Sequence, residues 1–187
     1  MNAVQPYSIV ILPSEEIIKF IENLKLSLYT ESEQDYGSRN SMAHITVREF
    51  EATDHQLRRI ILKLYKIARE QKIFTTKFDQ VICSDQSRSA FASPDIVSHQ
   101  YFKKLIKKIR TEIAGKANSD AHISIGRQLS TEQLEISREI FSNVELDFQC
   151  TRIALRKFNH KMKQFEIVKI FPFLNEPNSE QQLTLDL

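Results

Sequence analysis

The sequence predicts an α+β fold that is built from two similar halves around a central cleft. One observation is a pentapeptide that occurs twice with conservative changes, as Ala43-His44-Ile45-Thr46-Val47 and as Ala121-His122-Ile123-Ser124-Ile125. The other is the order of elements, strand, helix, histidine strand and helix, which occurs twice at a nearly constant offset. The two histidines are 78 positions apart, and Pro13 and Pro94, each preceding a helix, are 81 positions apart. We interpret this pattern as an internal duplication.

The first half begins with an apolar strand, Tyr7–Leu12, followed by Pro13-Ser14 and two glutamates that suit a helix N-terminus. The helix has one apolar face, formed by Ile17, Ile18, Ile21, Leu24 and Leu28. A polar loop, Thr30–Ser41, leads into the first histidine strand, and Asp54 begins a second helix. The apolar face of that helix consists of Leu57, Ile60, Ile61, Leu64 and Ala68.

The second half repeats this order from a short strand at Ser89–Ser93. The helix after Pro94-Asp95 has an apolar face of Phe102, Leu105, Ile106, Ile109 and Ile113. Asn118–Asp120 leads into the second histidine strand, and Ser130 or Thr131 begins a last helix that ends near Phe141.

Three further strands are predicted, at Phe74–Ser84, Asp147–Phe158 and Gln164–Phe173, the last two forming a hairpin that turns at His160–Lys163. The apolar alternation changes phase within Asp147–Phe158, so we expect a β-bulge near Thr151-Arg152.

The predicted domain spans residues 1–174, and residues 175–187 form a flexible polar tail. The tail ends Gln182-Leu183-Thr184-Leu185-Asp186-Leu187. These alternate leucines resemble short peptides by which bacterial proteins dock on the DNA-polymerase sliding clamp. We favour the alternatives that they cover this protein's own surface, add a strand to a neighbouring molecule or are disordered.

Composition excludes several classes of protein. With only 3 glycines and no glycine-rich phosphate loop, a P-loop or dinucleotide-binding fold is not expected. The two cysteines, Cys83 and Cys150, lie in predicted strands without zinc spacing and indicate buried thiols in a reducing compartment. No signal peptide or membrane span is recognised, so we expect a cytoplasmic protein without a metal or cofactor.

The two pentapeptides predict a pair of matched half-sites. Alternate side chains of a strand share one face, so His44 and Thr46 point away from a core that holds Ala43, Ile45 and Val47. His122 and Ser124 repeat the arrangement. Facing strands of this kind would bring together two imidazoles and two hydroxyl donors.

The paired His-x-Thr and His-x-Ser strands resemble those of the two-histidine (2H) phosphoesterase superfamily, in its bacterial and archaeal RNA 2′,5′-ligase branch. The resemblance extends from about Tyr7 to Phe173. It implies a bilobal fold with antiparallel-rich sheets around the cleft and helices outside. The family's second motif continues to an arginine, which this chain supplies as Arg127. After the first motif the family often has an aromatic or aliphatic pair, where this chain has Arg48-Glu49-Phe50.

The resemblance implies catalysis by His44 and His122 as acid and base, with Thr46 and Ser124 donating to the phosphate and Arg127 binding it. The expected function is a phosphodiesterase that opens 2′,3′-cyclic phosphates on RNA ends or small nucleotides and that catalyses ligation in reverse. The partner is then RNA or a cyclic nucleotide. The alternatives are a phosphodiesterase of another small cyclic phosphate, such as that of ADP-ribose, and a non-catalytic RNA- or nucleotide-binding module.

The remaining charged residues are interpreted as surface groups. On the last strands, Arg152, Arg156 and Lys157 are expected to be solvated rather than to line the cleft. Basic helix faces are interpreted as plain exteriors rather than RNA contacts, and they comprise Arg58, Arg59, Lys63, Lys66, Lys103, Lys104, Lys107 and Lys108. The histidines without the motif, His55, His99 and His160, are interpreted as incidental.

Overall fold

The computed structural model of the protein describes residues 3–117 and 119–176. Strands and helices follow one another in the order β1 (Gln5–Ile11), α1 (Glu15–Ser32), β2 (Ile45–Ala52), α2 (Asp54–Glu70), β3 (Phe74–Ser84), β4 (Ser89–Pro94), α3 (Ile96–Glu112), β5 (Ile123–Arg127), α4 (Thr131–Ile140), β6 (Leu146–Cys150), β7 (Arg152–Asn159) and β8 (Gln164–Pro172). The predicted α+β class and the repeated order of elements are confirmed.

Each helix begins at a side-chain cap that the sequence supplies. Ser14 accepts a hydrogen bond from the Ile17 amide at 3.4 Å, and Asp95 accepts one from the Ser98 amide at 2.7 Å. Thr53 and Ser130 form capping boxes with the glutamines three positions later. These caps satisfy amides that would otherwise lack a partner, and they fix where each helix starts. Helix α1 continues to Ser32, so the predicted loop begins later than Thr30.

The strands form two antiparallel four-stranded sheets, in the orders β2-β1-β7-β8 and β5-β4-β3-β6. In each sheet the histidine strand, β2 or β5, lies at one edge. It pairs with the first strand of its own half, β1 beside β2 and β4 beside β5. The third strand of each sheet comes from the other part of the chain. Strand β3 follows the first half in sequence but pairs with β4 in the second sheet, and β7 follows the second half but pairs with β1 in the first sheet. The two lobes are therefore interleaved in the chain rather than formed by one half each.

The prediction of a single bulged strand over Asp147–Phe158 is wrong. The chain forms β6 in the second sheet and β7 in the first, with Thr151 between them. The change of apolar phase marks passage from one sheet to the other, since each sheet sets its own buried face. The hairpin of β7 and β8 with its turn at residues 160–163 is as predicted.

One hydrophobic cluster joins the two sheets, with fully buried residues from both, such as Ile9, Ile45, Phe78 and Ile123. Helix α1 packs against β5 and α4, while α3 packs against β2 and β3. Each of these helices therefore contacts the histidine strand of the other lobe. The shared core holds the two histidine strands in a fixed relation.

The end of the described chain is attached to α2. The amides of Asn175 and Glu176 donate to the carbonyls of Gln71 at 3.1 Å and Arg69 at 2.9 Å. Ordered contacts thus continue two residues into the predicted tail. The rest of that tail, with the leucines at 183, 185 and 187, lies outside the described residues, as does Asn118. Across the described ranges, no helix has the length and apolarity needed to cross a membrane.

Candidate active site

The two histidine strands alternate as predicted. Buried side chains point to the core at positions 43, 45, 47, 121, 123 and 125, where exposure is at most 7%. His44, Thr46, His122 and Ser124 are half-buried on the opposite face of each strand. Each half-site is therefore an imidazole and a hydroxyl supported by a fully packed strand.

A β-bulge follows the hydroxyl residue in each strand at the same position. Thr46 is opposite Val10 and Arg48 is opposite Ile9, which leaves Val47 as the extra residue of β2. Ile125 is the extra residue of β5 in the same way, between Ser124 opposite Phe91 and Gly126 opposite Ala90. The bulge shifts the alternation by one residue.

That shift places Arg127 on the face of β5 that carries His122 and Ser124. Without the bulge, a residue three positions after Ser124 would point to the core. Arg127 is opposite Ser89 on β4, and its side chain is exposed. The equivalent residue of β2 is Glu49, opposite Ser8. The arginine position predicted from the motif therefore exists in both lobes, but only the second lobe has an arginine there.

Reciprocal contacts tie the loop before each histidine to the other histidine strand. Gly37 accepts a hydrogen bond from the Arg127 amide at 2.9 Å, and Lys116 exchanges two backbone hydrogen bonds with Glu49, at 2.6 and 3.0 Å. Glycine is required at these crossings. A Cβ on Gly37 would lie 2.8 Å from the Arg127 carbonyl oxygen, and one on Gly115 would lie 2.3 Å from that of Glu49.

Both imidazoles are held through the same nitrogen. His44 Nδ1 lies 2.6 Å from the Met42 carbonyl oxygen, and His122 Nδ1 lies 2.9 Å from the Asp120 carbonyl oxygen. A carbonyl only accepts, so Nδ1 carries the proton and donates it in each ring. In the neutral imidazole, Nε2 is then the free base. The backbone thus sets the same tautomer in both half-sites.

A buried guanidinium lies beside His44. Arg156, on β7 and 5% exposed, donates to the Ser8 hydroxyl at 3.0 Å and places Nη1 3.3 Å from His44 Nδ1. Because Nδ1 already donates to the Met42 carbonyl, it cannot accept a hydrogen bond from Arg156. When the ring is protonated, the guanidinium and the imidazolium are therefore two positive charges in contact. Burial first, and Arg156 second, lower the pKa of His44 to about 3. His44 is therefore uncharged at neutral pH.

Sequence reasoning missed Arg156. Of the three cations interpreted as solvated, Lys157 is exposed and Arg152 pairs with Glu15 at 2.9 Å, but the interpretation is wrong for Arg156. Its Nε is buried without a hydrogen-bond partner in the described part of the chain. The available signal was its place in β7, next to the three buried apolar residues Ile153, Ala154 and Leu155.

Lys25 is a second buried cation near the first half-site, and it was also missed. Its Nζ donates to the Ser38 and Ser41 carbonyls at 2.9 and 2.5 Å, which holds the loop that leads to His44. Burial, with Arg127 second, lowers the pKa of Lys25 to about 8. The signal was its spacing in α1, four positions after buried Ile21 and three before buried Leu28.

The second half-site opens into a cavity of about 450 Å³. His122, Ser124 and Arg127 line it together, so the structure brings these three predicted residues to one space. The Phe91 ring meets His122 edge-on, with centroids 5.2 Å apart. His99, interpreted as incidental, also lines this cavity, whereas His55 and His160 are exposed.

The field of Arg127 reaches the other half-site. Among the charges that lower the pKa of His44 are Arg156, Lys25 and Arg127, the last of which lies on the opposite lobe. These three cations make the field at His44 positive, which favours an anion such as a phosphate beside it. No group of three or more potential metal ligands occurs among residues 3–117 and 119–176.

Comparison with known proteins identifies the fold. Residues 13–161 match the family model of the 2′-5′ RNA ligase superfamily. Escherichia coli LigT complexed with 3′-AMP is 14% identical, with a TM-score of 0.67 over 91% of this chain and 99% of that chain. LigT in its apo form is 13% identical, with a TM-score of 0.64 over 90% and 97%. TT0787 of Thermus thermophilus is 15% identical, with a TM-score of 0.65 over 92% and 99%. No curated protein matches the sequence.

Proposed function

Because the chain belongs to the 2′-5′ RNA ligase superfamily, whose members are 2H phosphoesterases, we propose that it opens 2′,3′-cyclic phosphates on RNA ends or small nucleotides without a metal ion. The observation that supports this most is the matched pair of half-sites. Two imidazoles, each with Nδ1 fixed by the backbone and Nε2 available, immediately precede the edge strands β2 and β5, and the loop before each histidine contacts the edge strand of the other lobe.

The reaction requires two proton transfers on opposite sides of phosphorus. One imidazole accepts a proton from water through Nε2 while the water oxygen bonds to phosphorus. The other donates a proton to the ribose oxygen whose bond to phosphorus breaks. The product is a phosphomonoester and a free hydroxyl, and the histidines have exchanged protonation states. Ligation runs through the same steps in reverse, with the roles of acid and base exchanged.

The remaining predicted residues stabilise the charge that develops on phosphate. The hydroxyls of Thr46 and Ser124 are on the same strand faces as the histidines, where they can donate to the non-bridging oxygens. Arg127 adds a planar pair of donors for the same oxygens. A phosphate between the lobes also offsets the positive field at His44, and so raises the pKa of that histidine when substrate binds.

The cavity at His122 suits the nucleoside part of the substrate. Its volume of about 450 Å³ is within the range of small-ligand pockets, and Phe91 gives it an aromatic surface. A solved complex of LigT with 3′-AMP is consistent with a nucleoside phosphate as the ligand of such a site.

A turnover assay tests this function. The protein is incubated with 2′,3′-cyclic mononucleotides, with RNA oligomers that end in a 2′,3′-cyclic phosphate and with ADP-ribose 1″,2″-cyclic phosphate. We expect ring opening of the first two. Turnover of the ADP-ribose compound alone supports a phosphodiesterase of another small molecule, and saturable binding of all three without turnover supports a non-catalytic module.

A further inference from the structure

The cavity at His122 has a neighbour beside helix α3. A second cavity of about 360 Å³ has Lys103, Lys107 and Arg110 on one side and residues 119–121 on the other. We call this the α3 groove. It shares His99, Ser119, Asp120 and Ala121 with the cavity that holds His122. The α3 groove is therefore adjacent to the cavity of the second half-site, and these four residues lie between the two.

The cations of the α3 groove follow the helix at regular spacing. Lys107 is one turn after Lys103, and Arg110 is three residues further, so all three lie on one face. A turn of four residues advances about 6 Å along the axis. This interval is close to that between successive phosphates of an extended nucleic-acid strand, so each lysine can meet a different phosphate.

Lys103 and Lys107 are available for a ligand, whereas other cations nearby are already used. Arg110 donates to the carbonyls of Val47 at 3.0 Å and Ser119 at 2.9 Å, so it supports the groove wall. Lys108, on the same helix, pairs with Glu70 at 2.7 Å. Lys103 and Lys107 are exposed, and within the described ranges neither forms an ion pair.

The electrostatic balance of the α3 groove is positive. Among the lining residues that the structure describes, Asp120 is the one carboxylate, and Arg110 lies near enough for the two charges to interact. The two exposed lysines therefore give an excess of positive charge beside a site that takes phosphate under the proposed function. From the sequence alone these lysines belong to a plain helix exterior. Only the fold places them beside the cavity at His122.

We propose that the α3 groove binds the RNA strand that carries the cyclic phosphate, with consecutive backbone phosphates on Lys103 and Lys107. This inference rests on the proposed function, because a 2′,3′-cyclic phosphate terminates a strand at its 3′ end. All other nucleotides then lie on the 5′ side of the reacting phosphate. The α3 groove gives that side of the strand a path away from His122, and it makes an oligomer a better substrate than a mononucleotide.

The test compares two double variants on two substrates. Lys103→Gln/Lys107→Gln removes the charges of the α3 groove, and Lys66→Gln/Lys104→Gln removes two exposed lysines that do not line it. The substrates are an RNA octamer with a 2′,3′-cyclic phosphate and a 2′,3′-cyclic mononucleotide. We expect the groove variant to lose about tenfold in kcat/KM on the octamer, mainly through KM, because two phosphate contacts are lost.

The same variant should process the mononucleotide at the wild-type rate, and the control variant should match wild type on both substrates. The slope of log(kcat/KM) for the octamer against log salt should become shallower by about 1.4, since each contact with a single strand contributes about 0.7. Equal values of kcat/KM on the octamer for the two double variants would overturn the proposal, as would a wild-type preference for the mononucleotide.

A binding measurement separates this proposal from the proposed function. If wild-type protein opens neither substrate, the phosphodiesterase proposal fails. Fluorescence anisotropy with the labelled octamer then tests the α3 groove alone. Weaker binding by the groove variant than by the control supports the groove as an RNA path, and equal binding by both refutes it.

Discussion

The two half-sites have the same backbone and different surroundings. Each has an edge strand with a histidine and a hydroxyl, a bulge after the hydroxyl and a carbonyl that fixes Nδ1. Beside the strand, however, Val10 in the first lobe takes the place of Phe91 in the second, 81 positions later. Glu49 similarly takes the place of Arg127. The duplication has kept the geometry of the pair while the neighbouring side chains differ.

These differences give the two histidines unlike environments. His44 contacts the buried Arg156 and the carbonyl of Met42, and the Met42 side chain packs against a small apolar cluster of Val10, Leu12 and Ala154. His122 lies beside Phe91 at a cavity of about 450 Å³. One scaffold thus produces a half-site beside a buried guanidinium and another beside an aromatic ring and a cavity. The difference suits the proposed acid–base mechanism, in which the two imidazoles hold opposite protonation states.

The largest expected effect comes from removing either imidazole. His44→Ala and His122→Ala should each lower kcat for a 2′,3′-cyclic nucleotide by roughly 10²–10⁴-fold, the usual contribution of a general acid or base. His160→Ala, at an exposed turn, is the control and should retain full activity. Near-normal turnover by one of the two variants, with folding confirmed by circular dichroism, would show that only one half-site is catalytic.

A smaller loss of activity is expected from a change at Arg127, whose equivalent in the first lobe is Glu49. Arg127→Lys should reduce kcat/KM by roughly tenfold or more, because an ammonium cannot reproduce two parallel hydrogen bonds to phosphate and such charged bonds are worth about 1.5–3 kcal/mol. Arg138→Lys, on an exposed arginine paired with Asp85, controls for loss of an arginine elsewhere. Wild-type kinetics in Arg127→Lys would indicate that Arg127 is a surface charge and does not bind the phosphate.

The effect of Arg156 on the first half-site can be tested through the charge of His44. Arg156→Gln should raise the pKa of His44 from about 3 towards 6.5, but not fully, because burial is the larger cause of the shift. NMR titration of the imidazole measures this change. Arg156→Lys retains the positive charge and should leave the pKa low, while Lys157→Gln alters an exposed neighbour and should have no effect.

The same pKa predicts how stability depends on pH. The folded-state pKa of His44 lies below its ordinary value of 6.5, so the unfolded chain binds more protons between these limits. The contribution of neutral His44 to the free energy of unfolding is therefore present above about pH 6.5 and is lost as the pH falls towards 3. In Arg156→Gln this loss should be smaller. Urea unfolding at pH 7 and pH 4 measures it, and an equal loss in both proteins would contradict the electrostatic role of Arg156.

The smallest expected effect is that of a chelator. The proposed proton transfers use only side chains of this protein, so EDTA should leave kcat unchanged in wild type. Loss of activity that added divalent ions restore would argue for metal-assisted hydrolysis instead.

Local sequence was sufficient for much of the fold and for the composition of the half-sites. Side-chain caps fixed the helix starts, and period-two alternation fixed which residues of each histidine strand face the core. The duplication then related the two strands. Local sequence could not show that β3 joins the second sheet or that β6 and β7 separate at Thr151, because strand pairing joins residues that are far apart in the chain.

The sequence alone therefore determined which residues form the matched pair, since His44, Thr46, His122 and Ser124 depend on a local repeat and a local period. Tertiary structure decided what surrounds them. Arg156 reaches His44 from 112 positions away, and the packing of α3 places Lys103 and Lys107 in a cavity next to that of His122. The burial and charge that lower the pKa of His44 come from such distant neighbours, and a low-dielectric interior makes their effect large.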